Sequence, residues 1–325
     1  MSLKSLLPGW TVPLVKNEVR IRSYSTTADV LAFRRCRRQY GYFGVRGFSS
    51  ATSTQLYFGT LVHDVLDRIT RDRRAAPTRA LPSEEEIQQL VQEAHDRLIR
   101  SGVRTFNAPL MREKAARLIH RFVHLVGEAF FPHIRQTEYR LERALKTPQG
   151  RDYILQGVVD ILAGAVSHAL GLNFPTSEVD EEIWDYKSGR MPAKGASELV
   201  DYEYQMQVYA ELYRQQTGHF PARAVLIFLG ELDDDELWKL ALKGKGPGVF
   251  PRLFYPLHPS PVRVKAAMQD FHNTVELIEE ERAKPYEKQW AAPSHSVEEQ
   301  TCEACDIRFR CSSFPQASKQ RRDAL

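Results

Sequence analysis

The hydrophobic pattern of the chain changes its period near Glu138, and this change constrains the fold more than any other feature. Before it, apolar residues recur at the spacing of an amphipathic helix. After it, in EYRLERALKT and DYILQGVVDILAG, apolar and polar residues alternate as in half-buried strands. The PQGR stretch between these two segments predicts a β-hairpin turn. The sequence thus predicts helices first and strands after them.

Several helices are predicted before the hairpin. STTADVLAFRRCRRQYGYFG starts with capping residues and predicts a short helix that carries Cys36. GTLVHDVLDRITRD predicts a helix that carries His63. SEEEIQQLVQEAHDRLIRSG and PLMREKAARLIHRFVHLVGEAFFPHI have the caps and periodicity of two further helices. We interpret residues 75–135 as a helical insertion.

Strands and helices alternate after the hairpin. EEIWDYKSG predicts a third strand, LVDYEYQMQVYAELYRQQTG a helix that ends at glycine, and RAVLIFLGEL a short buried strand. VRVKAAMQDFHNTVELIEEERAK predicts another helix before a loop that leads to the C-terminal cysteines. The length permits one large domain or two modest ones, and we predict one domain over residues 1–325. We find no internal repeat.

Composition excludes some classes of protein and leaves others open. With 325 residues, of which 42% are hydrophobic, the chain is able to bury a substantial core. It has no run of about 18 apolar residues, and its start lacks the pattern of a signal peptide, so we expect a cytoplasmic protein without membrane association. A formal net charge of +4 permits a polyanionic partner without requiring one.

Arginines are concentrated in FRRCRRQY, at residues 33–40, and again in RDRR and KQRR. The guanidinium group binds phosphate in a bidentate manner, so such clusters are typical of nucleic-acid contacts. The alternative is an ordinary solvated surface. The DNA-binding residues predicted from the first cluster are Arg34, Arg35, Arg37 and Arg38.

Two aspartates and a lysine are predicted to meet on neighbouring strands. In IWDYKSG, strand alternation places Asp185 and Lys187 on one face. Asp160 lies among apolar residues in GVVDIL, where an unpaired carboxylate is costly to bury. A divalent cation between Asp160 and Asp185 would compensate this cost, with Lys187 beside it to hold a water. Alternatively, Asp160 starts a turn and the other two residues form a weak surface ion pair.

Four further residues are candidates for the same site. Gln205 and Tyr209 are four positions apart on a predicted helix, so both side chains lie on one face. His63 is either a ligand or a histidine of the core, and Glu138 is either an additional acid of the site or a solvated charge at a strand end.

These short motifs, in their order GTLVHDVL, GVVD, WDYKSG and QMQVY, resemble the PD-(D/E)XK nucleases, in particular the branch of the RecB and AddB nuclease domains. The resemblance covers about residues 28–311. It implies an α/β fold with a restriction-endonuclease-like core, in which helices flank a central mixed sheet, and a site that binds Mg²⁺ or Mn²⁺. It further implies that His63, Asp160 and Asp185 bind the metal, and that Asp160, Asp185, Lys187, Gln205 and Tyr209 serve catalysis.

The four cysteines are unevenly distributed. Cys302, Cys305 and Cys311 lie within ten residues, and Cys36 is far away in sequence. This C-x₂-C-x₅-C pattern with one distant cysteine resembles the 4Fe-4S arrangement of AddB-like nucleases and of their CRISPR-adaptation and exonuclease V relatives. The resemblance implies a cluster that joins segments 28–45 and 285–325. The alternative is a buried Cys36 beside a three-cysteine zinc or redox site.

The sequence therefore predicts a metal-dependent deoxyribonuclease, an exonuclease on single-stranded DNA or DNA ends in repair, recombination, CRISPR or phage defence. No G-x-x-x-x-G-K-[ST] loop is present, so unwinding would need a helicase partner, and a CRISPR-adaptation partner is the other candidate. The alternatives are a non-catalytic DNA-binding or assembly subunit of a helicase–nuclease complex and an electron-transfer protein.

Overall fold

The computed structural model describes residues 21–48, 54–103, 105–172, 174, 179–292, 297, 299–303 and 305–314. Its strands are β1 (Ser23–Ser25), β2 (Ile134–Lys146), β3 (Asp152–Gly164), β4 (Glu181–Lys187), β5 (Arg223–Phe228) and β6 (Phe254–Leu257). Its helices are α1 (Ala32–Arg35), α2 (Arg37–Tyr40), α3 (Thr54–Ala75), α4 (Glu84–Arg100), α5 (Ala108–Phe130), α6 (Val166–Ala169), α7 (Ser197–Thr217), α8 (Asp235–Leu240), α9 (Gly246–Leu253), α10 (Pro261–Ala283) and α11 (Glu299–Glu303).

The strands form one mixed sheet in the order β1-β3-β4-β5-β6, and β2 also pairs with β3. The pairs β2–β3, β3–β4 and β5–β6 are antiparallel, whereas β1–β3 and β4–β5 are parallel. Two strands pair with β3 away from β2: β1 at residues 154–156 and β4 at residues 161–164. Residues 157–160 of β3 lie between these two pairings, and this stretch ends at Asp160.

Helices pack on both faces of the sheet because strand alternation presents apolar side chains to each side. On one face, Trp184 and Tyr186 pack against α5, with ring centroids 5.6 Å from Phe130 and 5.9 Å from Phe122. On the other face, Ile183 belongs to a core shared with α7 and α10. The prediction of a central mixed sheet flanked by helices is confirmed.

The hairpin and the longer helices lie where the sequence predicts them. Ser83 caps α4 with a reciprocal capping box, and Gly218 ends α7 at a φ of 92°. The hairpin turn closes with Thr147 N–H donating to the Arg151 carbonyl at 2.9 Å. Helices α4 and α5, from the region interpreted as an insertion, contribute to the main core, and the status of that region as an insertion stays a prediction.

The prediction of a continuous helix through Cys36 is wrong. Cys36 has extended backbone angles, φ −161° and ψ 109°, and separates α1 from α2. The break brings the Cys36 side chain into a pocket that it shares with the C-terminal cysteines. None of the described helices is both long enough and apolar enough to cross a bilayer.

Candidate active site

The candidate site lies where β3 and β4 separate. The pairing of these strands ends at Ile161 opposite Trp184, so the next position in register places Asp160 opposite Asp185. There the strands part, and Asp160 Oδ2 accepts a hydrogen bond from the backbone N–H of Tyr186 at 2.7 Å. The Asp160 carboxylate thus binds an amide that a continuing strand would otherwise pair, and both acids lie at the opening.

Strand alternation places Asp185 and Lys187 together, as predicted. The Lys187 Nζ lies 2.6 Å from Asp185 Oδ2, and the Asp185 side chain is only 5% exposed. Helix α7 closes this side of the opening. Lys187 donates to Gln205 Oε1 at 3.1 Å, and Gln205 Nε2 donates to the Tyr209 hydroxyl at 3.0 Å and approaches Asp185 Oδ1 at 3.5 Å.

His63 reaches the same opening from α3, on the other face of the sheet. Its Nε2 donates to the Tyr186 carbonyl oxygen at 2.9 Å, because a carbonyl only accepts hydrogen bonds. This contact turns Nδ1 towards the Asp160 carboxylate, 3.4 Å from Oδ2. The predicted histidine, acids, lysine, glutamine and tyrosine are therefore brought into one connected cluster.

The charged groups in this cluster shift one another's pKa values. Burial alone would lower the pKa of His63, but the carboxylates of Asp160 and Asp185 outweigh it and raise that pKa to about 9. Burial works against ionised Asp160, yet His63, the Tyr186 amide and Lys187 hold its pKa below the ordinary value. For Asp185, burial and the repulsion of Asp160 win over Lys187 and raise the pKa.

A further acid lies at the edge of this cluster. Glu138 on β2 is flanked by residues paired with Val159 and Ile161, so its position in register is opposite Asp160. Its φ of 48° is left-handed, which is uncommon for a residue other than glycine. Burial and the nearby Asp160 raise the pKa of Glu138. The sequence favours a solvated charge at a strand end for Glu138; the residue is exposed, and it lies within β2 beside the candidate site.

The donor set suits a divalent cation, although it is not arranged around one here. Carboxylate oxygens suit both Mg²⁺ and Mn²⁺. A site that adds an imidazole nitrogen to them fits Mn²⁺ better than Mg²⁺. Two buried carboxylates that face one another repel, and a shared cation relieves this repulsion. Among the described residues, no group of three or more His, Cys, Asp or Glu side chains surrounds a common metal position. Asp160 instead contacts His63, and Asp185 contacts Lys187.

Sequence reasoning missed Tyr202. The Nζ of Lys187 lies over the Tyr202 ring, 4.4 Å from its centroid. Tyr202 precedes Gln205 by three positions on α7, so the helical spacing that identified Gln205 and Tyr209 places this ring on a neighbouring part of the same face.

The four cysteines come together although Cys36 is remote in sequence. All four line one pocket, together with Arg38 and Phe314 among other residues, and all are free thiols. Burial raises the pKa of the Cys302 thiol, and the other three cysteines raise it further. Cys36 is partly buried, and among the described residues the four thiols do not surround a common metal position. Binding of a 4Fe-4S cluster by the four cysteines stays a prediction.

The first arginine cluster is largely engaged within the protein. Arg34 pairs with Asp270 and stacks on Tyr204, 4.4 Å from the ring centroid. Arg37 contacts the Phe33 ring and lies 3.8 Å from Glu281 Oε1, and Arg38 contacts the Tyr42 ring and the Arg310 carbonyl. Arg35 is exposed. DNA binding by Arg34, Arg35, Arg37 and Arg38 stays a prediction.

Comparison with known proteins identifies the family. The model of the PD-(D/E)XK nuclease superfamily matches residues 26–312, which is most of the chain. The chain belongs to the PD-(D/E)XK nuclease superfamily. Membership implies a hydrolase of the nuclease class, and nucleases of this superfamily generally use divalent metals such as Mg²⁺.

Other comparisons add little to this assignment. No curated protein matches the chain. Among solved structures, the crystal structure of SSO0001 is similar, with 12% sequence identity, a TM-score of 0.34, and coverage of 87% of this chain and 97% of that one. Similarity at this level supports no conclusion about function.

Proposed function

We propose that this superfamily member is a Mg²⁺- or Mn²⁺-dependent deoxyribonuclease that acts on single-stranded DNA or DNA ends. The observation that carries the proposal is the meeting of Asp160, Asp185 and Lys187 at the opening between β3 and β4. In this proposal His63, Asp160 and Asp185 hold the cation, which would supply Lewis-acid stabilisation of the charge that develops on the phosphate.

In this proposal Lys187 stabilises negative charge, and the other polar groups of the site orient Lys187 and His63. The Lys187 ammonium is placed to donate a hydrogen bond to a phosphate oxygen or an attacking water at the mouth of the opening. Gln205 accepts from Lys187 and donates to Tyr209, so it fixes the direction of the ammonium. The Tyr186 carbonyl holds His63 Nε2 and thereby keeps Nδ1 directed at the acids.

Substrate contacts are expected from exposed cations near this mouth. Arg35 remains exposed close to Tyr202, and Arg190 and Lys194 lie exposed on the loop directly after Lys187. Such cations bind backbone phosphates whatever the base sequence. Arg34, Arg37 and Arg38 also make contacts within the protein, and binding of DNA by these three residues remains part of the prediction.

The four-cysteine pocket supports assignment to the RecB/AddB-like branch. We propose that Cys36, Cys302, Cys305 and Cys311 bind a 4Fe-4S cluster, since four thiols in one pocket match the ligand number of such a cluster. In this branch the nuclease would cooperate with a helicase or a CRISPR-adaptation partner. A location in the cytoplasm stays a prediction.

Cleavage of labelled DNA tests the proposal. Purified protein with Mn²⁺ or Mg²⁺ is given linear single strands blocked at the 5′ or the 3′ end, and a single-stranded circle. We expect degradation of the linear strands and survival of the circle, with Asp185→Asn and Lys187→Ala inactive. The exposed Lys239, paired with Glu236, supplies the matched control Lys239→Ala, which is expected to cleave normally.

Two outcomes contradict parts of this proposal. Tight DNA binding without cleavage under any divalent cation would indicate the non-catalytic subunit instead. Rapid cleavage of the circle would reject exonuclease action, but the assignment as a nuclease would still hold.

A further inference from the structure

Helix α7 carries two tyrosines whose rings cover cations. Tyr204 stacks on Arg34, and Tyr202 lies under the ammonium of Lys187, each with 4.4 Å between the charged atom and the ring centroid. Arg34 is tied to Asp270 and Thr274 of α10, away from the acids. Tyr202 therefore contacts the candidate site, whereas Tyr204 provides the same interaction outside it.

Three groups restrain the Lys187 ammonium. Asp185 Oδ2 lies 2.6 Å away, Gln205 Oε1 accepts at 3.1 Å, and the Tyr202 ring closes a third side. A lysine side chain has four rotatable bonds, so it loses much conformational entropy when its ammonium is fixed in one position. The negative face of an aromatic ring attracts an ammonium without neutralising it or accepting its proton. The ring thus restricts Lys187 and leaves its donors available.

The Tyr202 ring is itself held in place. Its hydroxyl donates to Glu198 Oε1 at 2.5 Å, one turn earlier on α7, and its ring packs against Phe228, with centroids 6.1 Å apart. Because Glu198 engages the hydroxyl, the contribution to Lys187 comes from the ring face. A phenylalanine at this position preserves that face, and a leucine or methionine removes it.

We propose that Tyr202 is a positioning residue that holds the Lys187 ammonium beside Asp185 for phosphodiester cleavage. This inference rests on the proposed function. Without the ring, Lys187 samples orientations directed away from the acids, so a smaller fraction of bound substrate reacts at any moment. The rate constant of the bound complex falls, and affinity for DNA does not change, because Tyr202 acts through Lys187.

Steady-state cleavage of single-stranded DNA by Tyr202→Leu and Tyr202→Phe tests the inference. We expect Tyr202→Leu to lower kcat about tenfold, the range of a partly desolvated cation–π contact, with KM within about twofold of wild type. Tyr202→Phe is expected to keep kcat within about threefold. Tyr204→Leu, the matched control, is expected to keep kcat, because its ring covers Arg34.

The outcomes separate this inference from the proposed function. If Lys187→Ala is inactive and Tyr202→Leu has wild-type kcat, the positioning role is wrong and the nuclease assignment stands. A raised KM with unchanged kcat overturns it too, because the ring then contacts DNA. Full activity of Lys187→Ala refutes the proposed function itself. Should thermal melting show Tyr202→Leu to be unfolded, Tyr202→Met takes its place, because the unbranched methionine side chain adapts more easily to the space and also removes the ring face.

Discussion

Asp185 is the residue in which the chemistry of the site is most concentrated. Its carboxylate is almost fully buried, and burial together with Asp160 raises its pKa. Two buried carboxylates that lie opposite one another on neighbouring strands are unfavourable unless positive charges accompany them. Lys187 supplies one positive charge beside Asp185, and His63, whose pKa is raised to about 9, supplies another beside Asp160. The proposed divalent cation would take over part of this compensation. The arrangement is costly for stability and useful for binding a metal, which is the pattern expected of a functional site.

Gln205 provides a test at the scale of one residue. Its amide joins Lys187, Tyr209 and Asp185, so Gln205→Leu removes a donor and an acceptor from buried polar partners. We expect kcat to fall by about 10–100-fold and the free energy of unfolding to fall by about 1–3 kcal/mol. Cleavage kinetics and chemical denaturation measure both quantities.

Gln207, two positions along α7, gives the matched control. It is also buried, but its Oε1 has no hydrogen-bond partner among the described residues. Gln207→Met removes an unsatisfied polar atom, so we expect unchanged kcat and no loss of stability. If kcat and the free energy of unfolding fell equally in both variants, any substitution at a buried position of α7 would have this effect. Gln205 would then have no specific role in the site.

At the scale of elements, the loop after β4 is fixed by backbone contacts. Gly230 N–H donates to the Gly189 carbonyl at 2.9 Å, and Glu231 Oε1 accepts from the Met191 N–H at 3.0 Å. A Cβ on Gly230 would lie 2.4 Å from the Gly189 carbonyl carbon. The turn after β5 thus holds the loop that begins directly after Lys187.

Gly230→Ala is expected to displace this loop. The overlap with backbone leaves no flexible group to move, so we expect a loss of about 1–3 kcal/mol in unfolding free energy and a lower cleavage rate. Gly59→Ala is the control on α3, because its Cβ would lie an ordinary 3.7 Å from Ser188 Oγ. There alanine favours the helix by roughly 0.5–1 kcal/mol. A Gly230→Ala protein as stable and active as Gly59→Ala would contradict this account of the loop.

The elements differ in how far the sequence predicts them. Long periodic segments such as α4, α5, β2 and β3 are predictable, because burial of one face dictates the period. Strands β1 and β6 have three and four residues, and their pairing partners are distant in sequence, so no local pattern reveals them. The extended backbone at Cys36 has a cause outside its own segment, in the pocket formed with the C-terminal cysteines.

The site follows the same division. The acids and Lys187 are predictable from alternation along a strand, and Gln205 and Tyr209 from helical spacing. The separation of β3 from β4 at Asp160 depends on the pairing of the full sheet, and the left-handed φ of Glu138 occurs inside β2, where the alternating pattern predicts an ordinary strand. Neither feature has a signature in the local sequence.

At the scale of the whole molecule, side-chain contacts hold the two ends of the described chain together near the cysteine pocket. The Trp290 indole packs directly on Gly41, where a Cβ would lie 2.0 Å from Trp290 Cγ. Arg46 donates to the Tyr286 carbonyl at 3.0 Å and stacks on the Tyr286 ring. These contacts bring the cysteine-bearing segments near one another, and the proposed cluster would then fix them.

Loss of one cysteine tests the proposed cluster. Because metal binding is linked to folding, we expect Cys302→Ala to lose the brown absorbance and iron, and to lower unfolding free energy by more than about 3 kcal/mol. Limited proteolysis should then cut the segments around Cys36 and Cys311 first. Ser312→Ala, an exposed neighbour, is the control and is expected to keep iron. A colourless, iron-free wild-type protein with the stability of Cys302→Ala would exclude the cluster.

A Mn²⁺ binding titration tests the central claim that Asp160 and Asp185 share one cation. The concentration of free Mn²⁺ is measured by electron paramagnetic resonance. The account predicts a site in the wild-type protein whose affinity falls at least about tenfold in both Asp160→Asn and Asp185→Asn. Asp180→Asn, an exposed residue paired with Arg135, is expected to bind like wild type. Unchanged Mn²⁺ affinity in the two site variants would contradict the shared cation and the nuclease centre built on it.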